Sequence, residues 1–472
     1  MLHNMMIIFT LLALAGSPTV LMKADELSVK PRPAPFTLDQ VTAYTLPNGL
    51  KVLLYPDPSQ AELTVNTVYK TGAKHEHPGE YGMAHLLEHL IFKSTRNHPN
   101  IPQELERRGA RFNANTNADR TSYYMSLPVT ADTLDFALAL EAERMTGAIL
   151  TDTALQAELP LVKKEYEQSH GTGFQPLLKA MLQITYPHHA YGRDTLGINE
   201  GVLQTRIENL RAFYQRRYGP NRAVLSLGGR FALDDAKRLI EKYFASVSSL
   251  AKDPDVEPPP PQPQRSERQI IVPRPGGPAY VGVLYRAMPG ADSRFVAAQA
   301  LVHCLAGGAH SILHKELVDR GWAGDVFGFV QQSVGEGFIA FMAQPAPGRD
   351  PVQLMQKLAT SLETGSTSCK DHDLAHFQKE NHSGWSTLLQ DSRSLTIQLG
   401  EYEVLGDWRM IASEQQTGLK LQMRDLNEAA RWITAHTRTA GVLDPRPLVP
   451  LPAGLQSSLP PKPVGSRLFR QP

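Results

Sequence analysis

The sequence predicts an α+β protein made of two similar α/β-sandwich halves that are joined by a proline-rich linker. The chain has 472 residues, which is too long for a single hydrophobic core. Alternating apolar runs that are typical of strands precede longer patterns with helical spacing, and this order of elements occurs twice. Between the two occurrences, residues 253–268 contain six prolines, and such a segment forms a stiff connection outside a packed core.

The predicted organisation has five segments. These are a signal peptide at 1–24, a first half at 36–252, the linker at 253–268, a second half at 269–445 and a proline-rich tail at 446–472. Hydrophobic residues make up 42% of the chain and charged residues 20%, which is ordinary for a globular protein. The net charge of +1 predicts no nucleic-acid partner.

The N-terminal segment indicates export. Eleven apolar residues run from Met5 to Ala15, which is the length of a signal-peptide core and short for a membrane span. Ala13 and Ala15 provide the small residues of a cleavage pattern. We expect an exported, periplasmic protein with no stable membrane span after signal removal. Because no Lys or Arg precedes the apolar run, an uncleaved membrane anchor is the alternative.

Strand and helix patterns alternate through the first half. Asn48-Gly49 is a typical hairpin turn, so the segment from Tyr44 to Tyr55 predicts two paired strands. Gly109 is placed to end a helix. Further strands are predicted at Leu63–Tyr69, Arg111–Ala114, Thr121–Leu127 and Arg222–Leu227, and helices around His85 and at Ile101–Arg108, Leu134–Met145 and Ala154–Gln168.

The same order returns in the second half. Strands are predicted at Gln269–Val272, Tyr280–Tyr285, Asp325–Val330 and Gly337–Ala343, with helices near Arg294–Leu305 and Ser311–Val318. Cys304 lies within an apolar helical pattern, which indicates a buried thiol. Its spacing from Cys369 does not require a disulfide, although an exported protein permits one.

The stretch from Gly82 to Phe92 carries the predicted chemistry. As an α-helix it has an apolar stripe on one side, with His85, Glu88 and His89 together on the other. The two histidines are one turn apart, with Cβ atoms about 5–6 Å apart, so both imidazoles can bind one metal ion. Glu88 is placed to accept a proton from water. This His-x-x-Glu-His pattern predicts a catalytic zinc site, and the alternative is a solvated helix surface.

A zinc ion held by two histidines needs another protein ligand, and a carboxylate from a different element is expected. Glu158 and Glu165 are two helical turns apart on one flank of an apolar stripe, where a half-buried carboxylate favours a cation. Because Pro160 is tolerated only in a first helical turn, this helix is expected to begin near Glu158. Taken alone, both residues would equally suit a charged helix surface.

The stretch Gly82–His89 resembles the active-site helix of the pitrilysin/insulysin-type zinc peptidases, the inverzincins. That family places its third ligand about 76 residues after the second histidine, and Glu165 follows His89 by 76 residues with Glu158 seven residues earlier. Other matching stretches are Gly109–Thr116, Asp119–Tyr124, Glu143–Met145, Tyr191–Gly192 and Tyr218–Ala223. The resemblance extends from about Tyr44 to Leu443 and is greatest to the two-domain branch that includes the mitochondrial processing peptidases.

The resemblance implies one Zn²⁺ per chain, bound by His85, His89 and Glu165. It implies Glu88 as the general base and Glu158 as a carboxylate that orients a ligand. It also implies that a peptide substrate adds as a strand to an exposed sheet edge, here formed by Arg111, Phe112, Asn113, Ala114 and Asn115. Two similar halves would close as a clam-like chamber around the peptide, alone or with a partner chain.

One stretch of the second half departs from the family pattern. Active relatives carry an arginine and, seven residues later, a tyrosine that reach the substrate. Val318 occupies the arginine position here, no tyrosine follows, and Arg320 is out of register. We therefore expect a heterodimer with a homologous subunit that carries the Arg/Tyr pair, or else a homodimer.

Together these observations predict a zinc-dependent endopeptidase that hydrolyses extended peptides or unfolded segments, as the metal-bearing subunit of a heterodimer. The alternatives are a non-catalytic peptide-binding or structural subunit of the same fold, a processing protease with one dedicated substrate, and a periplasmic zinc-binding protein. Manganese or cobalt would suit the same ligands. A second metal site at His310 and His314 is not predicted, because no distal carboxylate matches this pair.

Overall fold

A computed structural model of the chain describes residues 37–171, 173–197, 201–251 and 261–446. The predicted signal peptide at 1–24, most of the predicted tail and the first eight residues of the predicted linker lie outside the described residues. Within the described ranges, no helix combines the length and the apolar character that a membrane crossing requires.

The first half is built on a six-stranded sheet. In sheet order its strands are β1 (Thr42–Thr45), β2 (Lys51–Pro56), β6 (Ala223–Gly229), β3 (Glu62–Tyr69), β5 (Thr121–Pro128) and β4 (Arg111–Thr116). β2 and β6 run parallel, and the other neighbours run antiparallel. The predicted hairpin turn is confirmed between β1 and β2, where Gly49 adopts a φ of 91° that favours glycine.

Seven helices of the described residues belong to the first half. They are α1 (Met83–Ile91), α2 (Ile101–Arg107), α3 (Thr133–Thr146), α4 (Asp152–Gly171), α5 (Gln175–Thr185), α6 (Ile207–Arg217) and α7 (Leu233–Phe244). All of them except α5 contribute apolar side chains to one core on a single face of the first sheet.

The start of α4 corrects the sequence-based prediction. The helix begins at Asp152, close to the predicted start at Ala154, rather than near Glu158 as expected from Pro160, which lies inside it. Pro160 cannot donate a main-chain hydrogen bond to the preceding turn, which weakens the helix locally. The buried side chains of Leu155 and Val162, on either side of the proline, anchor both segments of α4 in the first core. Tertiary packing therefore overrides the helix-breaking tendency of proline.

The second half has a five-stranded sheet. In sheet order its strands are β7 (Arg268–Pro273), β11 (Arg438–Asp444), β8 (Tyr280–Pro289), β10 (Glu336–Pro345) and β9 (Ala323–Gln331). β7 and β11 run parallel, as β2 and β6 do. The order matches that of the first sheet without β1, strand for strand. The predicted fold class of two similar α/β halves is thus confirmed.

The helices that the structure describes in the second half are α8 (Phe295–Ala306), α9 (Pro351–Gly365), α10 (Asp371–Gln390), α11 (Ser392–Leu405), α12 (Met410–Lys420) and α13 (Met423–Ala429), with a short helical turn at His314–Val318. Of these, α8, α9, α10 and α13 contribute buried side chains to the core on one face of this sheet. Cys304 at the end of α8 is disulfide-bonded to Cys369, two residues before α10. The interpretation of Cys304 as a free buried thiol was therefore wrong.

Each half packs one helix against the sheet of the other half. Helix α5 packs Leu177 and Met181 on the face of the second sheet that its own core does not use. Helix α11 packs Leu395 and Leu399 on the corresponding face of the first sheet. The contact is close, since a Cβ atom at Gly400 of α11 would lie 2.8 Å from the Asn66 side chain of β3. This exchange holds the two halves together.

Candidate metal centre

Helix α1 is fixed at its N-terminus by a buried carboxylate. Glu76 accepts main-chain hydrogen bonds from Gly82 (2.9 Å) and Ala84 (2.8 Å), which would otherwise lack partners in the first turn. Burial raises the pKa of Glu76 to about 8, although the two main-chain hydrogen bonds lower it. Gly82 has a φ of 89°, and a Cβ atom there would lie 2.5 Å from the carbonyl oxygen of Leu196. The start of α1 therefore has little freedom to move.

The apolar side of α1 is fully packed. Its stripe lies in the first core with at most 1% exposure at each position and consists of Met83, Leu86, Leu87, Leu90 and Ile91. Burying each such side chain contributes about 1.5–3 kcal/mol. Packing of this stripe therefore determines which way the opposite side of the helix, with His85, Glu88 and His89, faces.

Three predicted ligands converge on one point. The Nε2 atom of His85 lies 3.5 Å from Oε2 of Glu165, and the Nε2 atom of His89 lies 3.4 Å from the same oxygen. The imidazole rings are 4.7 Å apart between centroids. Donor atoms around a tetrahedral zinc ion with bonds of about 2.0–2.1 Å are about 3.3 Å apart. The donor set and its spacing therefore fit a zinc ion bound by two histidines and one glutamate.

A second carboxylate orients one of these histidines. Glu158 has a side chain that is 1% exposed, and its Oε2 atom lies 3.2 Å from Nδ1 of His89. Its other oxygen pairs with the ammonium group of Lys93. A metal ion would replace the proton on Nε2, and the proton on Nδ1 would stay shared with Glu158. This arrangement presents His89 in the tautomer that metal binding needs.

The electrostatics of the group favour a cation between the carboxylates. Burial lowers the pKa of His89, but hydrogen bonds to Glu158 and Glu165 outweigh burial and raise this pKa to about 9. Burial raises the pKa of Glu165, and the two histidines reverse this effect and hold it well below its ordinary value. Without a metal ion, an imidazolium supplies the positive charge that the two carboxylates require.

Glu88 lies beside the end of a sheet edge. The hydroxyl group of Thr116 donates a hydrogen bond of 2.6 Å to Oε2 of Glu88. Thr116 is the last residue of β4, which pairs with β5 on one side and with no other strand of the described residues. The candidate base is therefore held at the point where a free strand edge ends.

The predicted substrate strand lies at this edge, but its side chains differ in availability. Arg111 and Asn113 are exposed, and Arg111 pairs with Glu62 of β3. Phe112 packs its ring 5.4 Å from that of Phe92, and Ala114 is buried. The side-chain oxygen of Asn115 accepts a hydrogen bond from the guanidinium group of Arg120.

Arg120 and the preceding Asp119 connect β4 to the second half. Arg120 donates to the main-chain oxygen of Asn115 (3.1 Å) and to the carboxylate of Glu401 in α11 (2.5 Å). Asp119 accepts hydrogen bonds from the hydroxyl of Tyr191 (2.8 Å) and the main-chain nitrogen of Val334 (3.0 Å). The turn after the edge strand is thus fixed by residues from both halves.

Sequence reasoning assigned no role to several of these groups. Glu76 and Lys93 were not predicted as part of the site, because their partners are distant in sequence or lie on other elements. Thr116 and Arg120 appeared only within stretches of family resemblance. A useful signal was available for Thr116, since it lies just after the predicted strand Arg111–Ala114 and its hydroxyl group can reach across to a neighbouring helix.

The structure also places the residues that depart from the family pattern. Val318 is partly buried and packs against the second core. Arg320 pairs with Glu316 at 2.9 Å, and its side chain is 64% exposed. His189 is buried, and its Nδ1 atom accepts a hydrogen bond from the main-chain nitrogen of Tyr191 at 3.1 Å.

Two family profiles match consecutive parts of the chain. The profile described as Insulinase (Peptidase family M16) matches residues 51–198, and the profile described as Peptidase M16 inactive domain matches residues 206–368. The chain belongs to the M16 peptidase family. The predicted resemblance to pitrilysin/insulysin-type peptidases is thereby confirmed.

Several relatives of the chain are named as zinc proteases. The chain is 25% identical to the zinc protease PqqE of Helicobacter pylori, over 84% of this chain and 91% of the relative. It is 24% identical to the uncharacterized zinc protease YmxG of Bacillus subtilis, over 77% of this chain and 88% of the relative. It is 28% identical to the probable mitochondrial-processing peptidase subunit beta of Schizosaccharomyces pombe, over 46% of this chain and 47% of the relative.

Solved structures of M16 proteins share the fold. A protease from Helicobacter pylori matches with a TM-score of 0.81 and 25% identity, over 87% of this chain and 100% of that chain. The first half of the periplasmic protease PqqL from Escherichia coli matches with a TM-score of 0.70 and 18% identity, over 88% of this chain and 94% of that chain. In full-length PqqL the match spans 48% of the chain.

Proposed function

We propose that this M16 protein is a zinc-dependent endopeptidase that hydrolyses extended peptides or unfolded segments. The observation that carries the proposal is the convergence of His85, His89 and Glu165 at the spacing of zinc ligands, with Glu88 beside them at the end of a free sheet edge. When bound, a zinc ion supplies Lewis-acid chemistry, because it polarises a carbonyl oxygen and lowers the pKa of water.

The residues of the chain divide the remaining tasks. Glu88 accepts a proton from the attacking water and later donates a proton to the leaving amine nitrogen. Thr116 holds the Glu88 carboxylate through its hydroxyl group, which fixes the direction from which that proton is taken. Glu158 acts as a positioning residue, because its hydrogen bond to Nδ1 of His89 keeps the ring orientated and its Nε2 atom unprotonated.

The substrate class follows from the free edge of β4. A peptide in extended conformation can add to this edge through main-chain hydrogen bonds, with Arg111 to Asn115 as the binding segment. Main-chain recognition depends weakly on side-chain identity, and a folded protein cannot present the extended segment that it needs. Because the strand ends at Thr116, a bound peptide would pass beside Glu88.

We further propose that the chain works with a homologous subunit that carries the Arg/Tyr pair, as a heterodimer, in an exported and periplasmic setting. The packing of Val318 against the second core supports the need for a partner, because this position presents no charge toward a cleft. The fold likeness to about half of PqqL, named a periplasmic protease, supports an assembly twice the size of this chain. A homodimer is the simpler form of such an assembly.

A second candidate is a non-catalytic peptide-binding or structural subunit, which Val318 also favours. The test uses the chain without residues 1–24, loaded with zinc, and a mixed library of quenched fluorescent peptides. Cleavage that Glu88→Gln lowers about 10²–10⁴-fold would support catalysis by a general base. No cleavage by the zinc-loaded chain, alone or with a captured homologous subunit, would contradict the proposed activity and support a non-catalytic subunit.

A further inference from the structure

A second group of metal-ligating side chains lies in the other half of the molecule. Within the described residues, His303, His376 and Glu380 form a group whose ligand atoms all lie within 4.8 Å of one another. His303 belongs to α8, whereas His376 and Glu380 are one turn apart on α10. No residue of this group takes part in the centre at α1.

The distances within the group resemble those of a ligand set. Nε2 of His303 lies 2.9 Å from Nδ1 of His376, and the two rings are stacked at 5.2 Å between centroids. Carboxylate oxygens of Glu380 lie 3.8 Å from Nδ1 of His303 and 3.6 Å from Nε2 of His376. These contacts use both nitrogens of each ring, and one donor atom from each of the three residues can be chosen so that all lie within 4.8 Å of one another. Rotation of the rings would bring such donors to the spacing of about 3.3 Å around a tetrahedral zinc ion.

The two helices that supply the ligands are held at a fixed separation. Cys304, next to His303, is disulfide-bonded to Cys369, just before the start of α10. On the other side, the ring of Phe377 lies 5.6 Å from that of His303 between centroids. A binding site that is rigid before the ion arrives loses little conformational entropy on binding.

Glycine at the end of α8 leaves room for the buried imidazole. A Cβ atom at Gly307 would lie 2.6 Å from Nδ1 of His303, which is closer than atoms can approach. The His303 side chain is only 10% exposed, whereas those of His376 and Glu380 are 45% and 36% exposed. The group therefore has a buried ligand at its base and two ligands at its rim, with access for an ion from solvent.

The two imidazoles share one hydrogen bond. In the 2.9 Å contact between two ring nitrogens, one nitrogen donates and the other accepts through its lone pair, so the accepting imidazole presents the type of atom that binds a metal ion. Neutral imidazole is the form that binds transition metals. Glu380 adds one negative charge, which favours the binding of a cation.

We propose that His303, His376 and Glu380 bind a second divalent metal ion of the zinc class, which joins α8 to α10 in the half that lacks the His-x-x-Glu-His motif. His310, in the loop after α8, is exposed with its ring 6.4 Å from that of His376, and is not part of this ligand group. The ion has a structural role, because it connects two helices of the second core close to the disulfide.

The experiment measures zinc stoichiometry in the purified full-length chain after removal of metal with a chelator and reloading with Zn²⁺. We expect two ions per chain, one ion in His376→Ala and in Glu380→Gln, and none in His85→Ala/His376→Ala. The control is His382→Ala, which removes an exposed histidine from the same helix and leaves two ions. Because His376 and Glu380 are at the rim, their replacement leaves the core intact, and circular dichroism verifies the fold.

The single variants separate the two sites. One ion in the wild type that His85→Ala abolishes and His376→Ala retains would overturn the second site and leave the proposed function unaffected. One ion that His376→Ala abolishes and His85→Ala retains would support the second site and count against the centre at α1. Two ions in His376→Ala would also overturn the proposal, since the added ion would then be held elsewhere.

Discussion

Thr116 donates a hydrogen bond of 2.6 Å to the carboxylate of Glu88, and so joins the end of the edge strand β4 to the centre of helix α1. The two residues are 28 positions apart and belong to elements that pack against each other within the first half. This bond fixes the position of the candidate base, Glu88, relative to the strand edge to which a peptide would bind.

Replacement of Thr116 by valine removes the hydroxyl group and keeps the shape of the side chain. A hydrogen bond to a charged group contributes about 1.5–3 kcal/mol, so kcat/KM of the active assembly should fall about 10- to 100-fold. Zinc content should not change, because Thr116 is not among the candidate ligands. Thr116→Ser retains the hydroxyl group and should keep most of the activity. Equal activity of the valine and serine variants would contradict this role.

Glu158→Gln should weaken zinc binding without removing a direct ligand. The variant loses the negative charge that accepts the Nδ1 proton of His89 and pairs with Lys93. Loss of such an orienting group typically lowers metal affinity 10- to 100-fold. The measurement is a competition titration against a chromophoric chelator. Glu167→Gln is the matched control on the same helix, where the side chain is 63% exposed and should leave affinity unchanged. An unaltered affinity in Glu158→Gln would show that Glu158 does not orient His89.

The metal-free chain should lose stability as pH rises. His89 has a pKa of about 9 in the folded state, because Glu158 and Glu165 outweigh the lowering effect of burial, against about 6.5 in an unfolded chain. The folded state therefore holds a proton that the unfolded state releases. The resulting stabilisation, at most about 3 kcal/mol, is fully present below pH 6.5 and is lost as pH rises through 9.

Thermal unfolding of the chelator-treated chain at pH 6 and pH 9.5 tests this expectation. The fall in Tm between the two values should be smaller in Glu165→Gln, which removes one of the two carboxylates that hold the proton. Zinc affinity should rise over the same range, because the ion replaces that proton. An identical pH dependence of Tm in the wild type and the variant would refute the assignment.

Gly400→Ala should destabilise the contact between the halves. A Cβ atom at this position of α11 would lie 2.8 Å from the Asn66 side chain and 2.9 Å from Val68. Overpacking of this kind costs about 1–3 kcal/mol in the free energy of unfolding. Gly384→Ala, in the middle of α10 with no atom near its added Cβ, should instead stabilise by about 0.5–1 kcal/mol. Denaturant unfolding of both variants shows whether close packing or helix propensity determines the effect of the added Cβ atom at each position.

Local patterns were sufficient for much of the fold and for the core of the candidate site. The apolar stripe of α1 fixed the face that carries His85 and His89, and the strand predicted at Arg111–Ala114 located the edge strand β4. In each case the determining interaction lies within one helix or one hairpin. The repeated order of elements likewise predicted two similar halves.

Features that depend on distant parts of the chain were not predictable in this way. Cys304 and Cys369 are 65 residues apart, and only the packing of α8 against α10 brings them together. The exchange of α5 and α11 could not be read from their sequences, because an apolar face indicates burial without identifying its partner. Pro160 misled the prediction of α4, since core packing on both sides of it compensates for the lost hydrogen bond.

Because the halves exchange helices, the linker between them is not needed to hold them together. A cut in the main chain between residues 251 and 261 would leave α5 on the second sheet and α11 on the first. The two fragments would therefore remain bound to each other without a covalent bond. Produced separately, each fragment would expose one sheet face and one orphaned helix, and both would be prone to aggregate. The exchanged helices therefore predict that neither half folds stably without the other.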